Sequence, residues 1–245
     1  MVKVSFLGSG DAFGHGGRMQ ACIMVEALGR RMLLDCGASA LISLRRAGVE
    51  PNSIEFIALS HLHADHYGGL PFFILDAQLF SKRRDDLFLA GPLGLAQRLP
   101  QALEVMFPGS ATVRRPFEVP VRELAPGQSW SAGPFHLRAA AATHPPGDPR
   151  LCYRLECGGK VIAYTGDTGW TPQLIPLAQG ADLLIAEAYF RHKLVRDHLS
   201  YAEVLANLPA LGAARVVLTH PGPDMLENPE DLELPLARDG LELEL

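Results

Sequence analysis

Residues 60–66 read Ser-His-Leu-His-Ala-Asp-His, directly after the apolar run Ile54-Glu55-Phe56-Ile57-Ala58-Leu59. That run has the length and composition of a buried strand, and on strand spacing His61, His63 and Asp65 leave it on the same side. Two imidazoles on one side make half of a metal site. His66 breaks the parity, and Tyr67-Gly68-Gly69-Leu70-Pro71 reads as a turn into a helix, which redirects Asp65 and His66 toward a second, neighbouring ion. The array therefore predicts two metals; a bare surface cluster of histidines is improbable at this spacing after a buried strand.

A dinuclear site needs more ligands than the array supplies. Three strand ends offer them. His144 follows the run 139–143, Asp167 follows 162–165, and His220 follows 216–219, and strand ends on one edge of a sandwich converge from distant sequence. His198, in Arg196-Asp197-His198-Leu199-Ser200, is open on residues alone: it either joins the site or makes a local helix-start contact with Ser200 as N-cap. His136 and His192 have no partner pattern. His15 lies in a glycine-dense loop, 8–17, that lacks the Lys-Ser/Thr of a phosphate-binding P-loop and runs into a strand, so His15 reads as solvated or substrate-facing.

The order of elements limits the architecture. Short strands are expected near residues 2–7, 21–25, 32–37, 54–59, 87–90, 117–124, 135–143, 151–156, 161–165, 183–186 and 216–219, with Gly158-Gly159 as a hairpin turn. Helices are expected near 40–47, 70–80, 93–107, 172–179 and 201–211. Many strands with helices between them need two sheets whose outer faces are covered, an α/β fold in a four-layer α/β/β/α sandwich. No linker divides the chain, so residues 1–245 read as one domain. The charged stretch 82–86 reads as a solvated turn.

Charge and composition exclude other classes. Lys and Arg number 22 against 27 Asp and Glu, and the net −5 is spread along the chain, unlike a nucleic-acid-binding tail. No apolar stretch approaches a membrane span and the N-terminus lacks a signal peptide's apolar region, so a cytoplasmic location is expected. The four cysteines, Cys22, Cys36, Cys152 and Cys157, form no Cys-x-x-Cys pair and read as buried thiols.

Taken together, Phe6-Leu-Gly-Ser-Gly10, Leu34-Asp-Cys-Gly37, the 60–66 array with Gly69-Leu-Pro71, Thr143-His144, Thr165-Gly-Asp-Thr168, Glu187-Ala-Tyr-Phe190, His198-Leu-Ser200 and Leu218-Thr-His220 resemble, in order, the metallo-β-lactamase fold superfamily and its ribonuclease Z and small phosphodiesterase branch. The Glu187 and His198 segments point to that branch. The resemblance implies one ion on His61, His63 and His144, a second on Asp65, His66 and His220, Asp167 bridging both, and a hydroxide between them. It implies two divalent ions, zinc on ligand type, with manganese or iron also suited, and a homodimer.

Asp65, His198 and Glu187 are then the candidate catalytic residues, His198 as general acid held by Glu187, with Asp35 bracing a ligand from outside. The expected activity is hydrolysis of cyclic nucleotides, cyclic phosphates or other small phosphodiesters. A ribonuclease Z-type tRNA endonuclease, or a lactone, aryl-sulfate or carboxylic ester hydrolase, is the alternative. Only 23 positions separate His144 from Asp167, which leaves no room for the arm of tRNA-processing relatives. The ending Thr219-His-Pro-Gly-Pro-Asp-Met225 departs from their Ser-x-Arg-Tyr, and the acidic charge is wrong for binding many phosphates, so tRNA is not the expected partner. Residues 70–116 are expected to shape the substrate cleft or a dimer contact.

Overall fold

The structure is a computed structural model that describes residues 1–143 and 149–245. Its strands are β1 (Val2–Gly8), β2 (Cys22–Ala27), β3 (Arg30–Leu34), β4 (Ile54–Ala58), β5 (Phe88–Pro92), β6 (Val121–Leu124), β7 (Ser129–Ala132), β8 (Phe135–Ala141), β9 (Leu151–Cys157), β10 (Lys160–Tyr164), β11 (Leu183–Glu187), β12 (Val216–Thr219) and β13 (Leu241–Glu244). The helices are α1 (Ala40–Arg46), α2 (Ala64–Tyr67), α3 (Leu70–Leu79), α4 (Leu95–Met106), α5 (Leu174–Ala178), α6 (Tyr201–Leu211) and α7 (Pro223–Leu226). One sheet runs β13-β1-β2-β3-β4-β5-β6 and the other β12-β11-β10-β9-β8-β7.

The layers follow from which faces are apolar. Phe6, Ile23, Met32 and Leu34 of the first sheet meet Leu137, Tyr153, Ile162 and Ile185 of the second in the central core. Leu33, Ile57 and Leu89 bury the first sheet's other face against Leu44 of α1, Phe73 and Ile74 of α3 and Leu99 of α4. Leu184 and Leu218 do the same for the second sheet, against Leu174 of α5 and Val204 and Leu211 of α6. Strands covered on both faces have no need to alternate, and β11 is buried at every position. Next to the sheet's edge strand β7, β8 begins by alternating buried and exposed, as a strand wet on one side does.

Local signals set the ends of these elements. Ser200 caps α6 reciprocally, its side chain accepting from Glu203 N and the Glu203 carboxylate accepting from Ser200 N. Gly158 and Gly159, at φ 54° and 75°, make the two-residue turn between β9 and β10.

Two expectations are corrected here, and two strands were not expected. The strand expected over 117–124 narrows to Val121–Leu124, because Pro120 brings no N–H, although the Glu118 and Pro120 carbonyls still accept from Leu87 and Leu89. Arg83 is not in a solvated turn: only 2% exposed, it donates to the carbonyls of Ile54 and Asp85, which would otherwise be short of donors. β7 and β13, four residues each, were too short for periodicity to reveal.

Direction matters most for function. β3 and β4 run parallel, as do β10, β11 and β12. Their carboxyl ends open on one edge, where ligands of open α/β sheets bind. Among the described residues no helix is long and apolar enough to cross a membrane.

Candidate metal centre

β4 ends at Ala58, and the next residues leave the sheet before α2 begins at Ala64 with His63 as its N-cap. The strand-parity reading of the array is therefore corrected: His61 and His63 lie on an irregular turn, and Asp65 already belongs to a helical turn with His66. Close packing holds that turn. Cys36 N donates to His66 O at 2.7 Å, and a Cβ on Gly37 would fall 2.2 Å from Asp65 O, so only glycine lets the two segments meet.

The second sheet brings the rest. Asp167 follows β10 through Gly166, whose φ is 53° and whose added Cβ would meet Ser60 Cβ at 2.6 Å. His220 follows β12 at φ 57°, and Asp35 follows β3 at φ 62°. A left-handed conformation costs a non-glycine residue about 1–3 kcal/mol and persists where the surroundings over-determine it. His220 is fixed by its N–H on Ser9 O at 3.0 Å, and Asp35 by a dense hydrogen-bond set.

These ends converge. His66 Nε2 lies 3.2 Å from both Asp65 Oδ2 and Asp167 Oδ1, and His220 Nε2 lies 3.2 Å from Asp65 Oδ2 and 3.6 Å from Asp167 Oδ1. One ligand atom from each of these four buried residues fits within 4.8 Å of all the others, as for His61, His63 and Asp65. His61 Nε2 stands 3.8 Å from Asp167 Oδ2, so Asp167 faces both groups. His144 lies outside the described residues.

The electrostatics are those of ligands brought together. Burial works against the Asp65 and Asp167 carboxylates, but the His66 and His220 imidazoles outweigh it and hold both acids below the usual carboxylate range. Burial likewise disfavours a charged His66, and Asp167 and Asp35 reverse it, raising its basicity well above an ordinary histidine's. His61 goes the other way, lowered by burial and then by the charge of His66.

A cation fits this arrangement. His61 Nε2 and Asp167 Oδ1 are buried and lack a hydrogen-bond partner among the described residues, which polar atoms in protein interiors rarely do. Nitrogen and carboxylate oxygen are the donors zinc, manganese and iron accept.

Asp35 braces the cluster. Fully buried, its carboxylate accepts from Ser60 N at 2.6 Å, Ser60 Oγ at 2.8 Å, His66 Nδ1 at 2.7 Å and Tyr164 Oη at 2.6 Å. The bond to Nδ1 turns His66 Nε2 toward Asp65 and Asp167, as carboxylates outside a metal site commonly do for ligand histidines.

Glu187 and His198 come together as well. His198 Nδ1 is 2.9 Å from Glu187 Oε2 and 3.9 Å from Asp167 Oδ2, and the other Glu187 oxygen accepts from Thr168 N. Burial disfavours the His198 cation, yet the Glu187 bond and charge raise its pKa to about 9. Ser200 caps α6 through Glu203, while His198 sits against Glu187 and Asp167. His15 Nδ1 pairs with buried Asp11 at 2.6 Å, near Tyr189.

Sequence reasoning missed Arg150. Its side chain is buried, with Nη1 3.6 Å from Asp167 Oδ2 and Nη2 3.3 Å from His63 Nδ1. No spacing rule pointed to it; only its place six positions past His144 placed it near the edge.

Two sheets, helices outside them and a His/Asp cluster on their shared edge define a metallo-β-lactamase-fold protein, and among its relatives are ribonuclease Z proteins. The structure superposes on that of Bacillus subtilis YhfI, a metallo-β-lactamase fold protein, with a TM-score of 0.82 at 22% identity over 100% of this chain and 99% of that one. The human short-form tRNase Z gives 0.81 at 24% identity, covering 99% and 98%. A ribonuclease Z of Mycobacterium marinum is 27% identical over 251 residues, 94% of this chain and 90% of the relative. The chain belongs to the family described as anti-Pycsar protein Apyc1, whose model matches residues 2–238.

Proposed function

We propose that this chain, a metal-dependent hydrolase of the metallo-β-lactamase fold, is a phosphodiesterase acting on cyclic nucleotides, cyclic phosphates or other small phosphodiesters. The observation that carries the reading is the Glu187–His198 pair at 2.9 Å beside Asp167, a built proton donor at the edge of the ligand cluster. His61, His63 and His144 would hold one ion, Asp65, His66 and His220 the other, and Asp167 would bridge them, zinc being the leading metal on ligand type. Divalent cations in such a site contribute Lewis-acid neutralisation of phosphoryl charge and activation of water.

The chain's own residues do the rest. Glu187 holds Nδ1 of His198, which leaves Nε2 to carry a proton to the departing alkoxide. Asp65 spans His66 and His220 and keeps both imidazoles turned inward. A carboxylic ester hydrolase has less need of this pair.

A second reading, an endonuclease acting on RNA 3′ ends, is favoured by the similarity to ribonuclease Z over 94% of the chain. Against it stands the stretch between Thr143 and Asp167, where β9 and β10 with their tight turn occupy most of the length. The family habit of homodimers suits the apolar side chains exposed on α3 and α4, Phe72, Leu79, Val105 and Met106.

The test is a panel containing bis-p-nitrophenyl phosphate, cyclic mononucleotides, a precursor tRNA, a lactone and an aryl sulfate. Highest kcat/KM on a small phosphodiester is expected; preference for the lactone would overturn the proposal, and preference for the tRNA would select the second reading.

A further inference from the structure

His198 is carried by a stretch without regular structure. Phe190 and Ser200 pair as an isolated bridge, and residues 191–199 between them form neither helix nor strand. A reacting group on a loop needs support from its surroundings to hold its geometry. The bond from His198 Nδ1 to Glu187 Oε2 at 2.9 Å fixes one point of the imidazole and leaves its plane free to tilt about that point. A second contact must set the plane.

Glu187 ends β11, Tyr189 stands two positions on, and both reach His198. The Tyr189 ring lies 5.0 Å from the His198 ring at 32° and 5.8 Å from that of His220, which itself stands 6.0 Å from His198 at 13°. Packed rings have these separations. The tyrosine is itself well held. Its N–H donates to Leu199 O at 3.0 Å, next to His198, and its carbonyl accepts from Gly222 N at 2.9 Å, just past His220. Phe190 packs edge-on against it at 4.7 Å. Its hydroxyl reaches Asp11 Oδ2 at 3.4 Å, and that fully buried carboxylate also accepts from His15 N at 3.0 Å and His15 Nδ1 at 2.6 Å. The glycine-dense loop that carries Asp11 and His15 thereby anchors the ring that packs on His198.

We propose that Tyr189, anchored on Asp11, is a positioning residue for His198, its ring setting the plane of the imidazole so that the proton on Nε2 is delivered to the leaving oxygen. This rests on the reading of His198 as the proton donor.

The test compares leaving groups. The alkoxide of a cyclic mononucleotide needs a proton as its P–O bond breaks, whereas p-nitrophenolate, a weak base, leaves largely without one. Both kcat and KM are measured on a cyclic mononucleotide and on bis-p-nitrophenyl phosphate, with metal content determined on the same zinc-loaded samples, for wild type, Tyr189→Leu, Tyr189→Met, Tyr189→Phe and His198→Ala. A small misplacement of a reacting group is costly, so kcat on the cyclic mononucleotide is expected to fall by roughly 10- to 100-fold in the leucine and methionine variants. KM, the metal count and turnover of the aryl ester should change little. Phenylalanine keeps the packed ring and should retain most of the rate. Should both substrates slow alike, should KM rise in place of the fall in kcat, or should neither aliphatic variant slow the cyclic mononucleotide, the assignment is wrong. Methionine fills much of the ring's volume if leucine fails to fold. Failure of the underlying reading looks different: His198→Ala would itself slow both substrates alike, or wild type would leave the cyclic mononucleotide intact.

Discussion

The two halves of the metal centre are built differently. Around Asp65, His66 and His220 every side chain is buried, every ligand distance given above is 3.2–3.6 Å, and Asp35 fixes His66 from behind. Around His61 and His63 one imidazole is buried and the other exposed, the two rings stand 4.7 Å apart at 68°, and Arg150 lies against His63. Among the described residues, preorganisation is thus concentrated around His66. The half whose described histidines come from one irregular turn is the adaptable one, and an ion there should exchange first.

The largest effect that would sharpen this comparison is expected at the residue both halves share. Asp167→Ala should drop the metal count from two to one or none and cut phosphodiester turnover by about 10³-fold or more, the scale of losing a preorganised charge at a reacting centre. An unchanged count by elemental analysis would break the bridging assignment.

Next comes the proton donor. His198→Ala should keep both ions but slow turnover by roughly 10²–10⁴-fold, as for a positioned general acid. Because Glu187 raises His198 to about 9, the donating form is present below that pH and lost as pH rises through it. The wild-type rate should therefore carry an alkaline limb that His198→Ala lacks; an identical limb in both would remove His198 from that role.

A smaller effect separates the halves directly. Asp35→Asn should weaken the ion held by His66 by roughly 10–100-fold, the usual cost of losing an outer carboxylate, while His63→Ala should affect only the other ion. Stepwise chelation read by metal content decides this, and loss of both ions together in either variant would contradict the asymmetry.

The smallest effect lies outside the site. All four cysteines are buried and free, and burial lifts the Cys157 thiol to about 11. Thiol reagents at pH 8 should therefore leave the native chain unlabelled. Since the thiols keep their protons longer when folded, stability should decline as pH rises above the unfolded value of about 8.5.

Much of this was legible in the sequence, for physical reasons. A buried strand ending in clustered imidazoles marks its own chemistry, and strand ends at Asp167 and His220 marked where partners would come from. Other features needed three dimensions. The turn at Ala64 begins before strand parity could deliver Asp65, a choice made by packing against Gly37. Asp35 was foreseen as a brace, but not its four donors, which come from the turn after β4, from α2 and from β10. Arg83 read as part of a solvated turn and Arg150 was not singled out, because sequence patterns assign arginine to solvent; Arg83 is buried against the Ile54 and Asp85 carbonyls, and Arg150 beside Asp167 and His63.

The most direct measurement is the number of transition-metal ions per chain, taken on one purified sample together with its activity on bis-p-nitrophenyl phosphate before chelation, after chelation and after reloading with zinc. Two ions per chain, with activity that disappears and returns with them, is the expected result. Full activity in a sample stripped of metal would contradict the dinuclear centre outright.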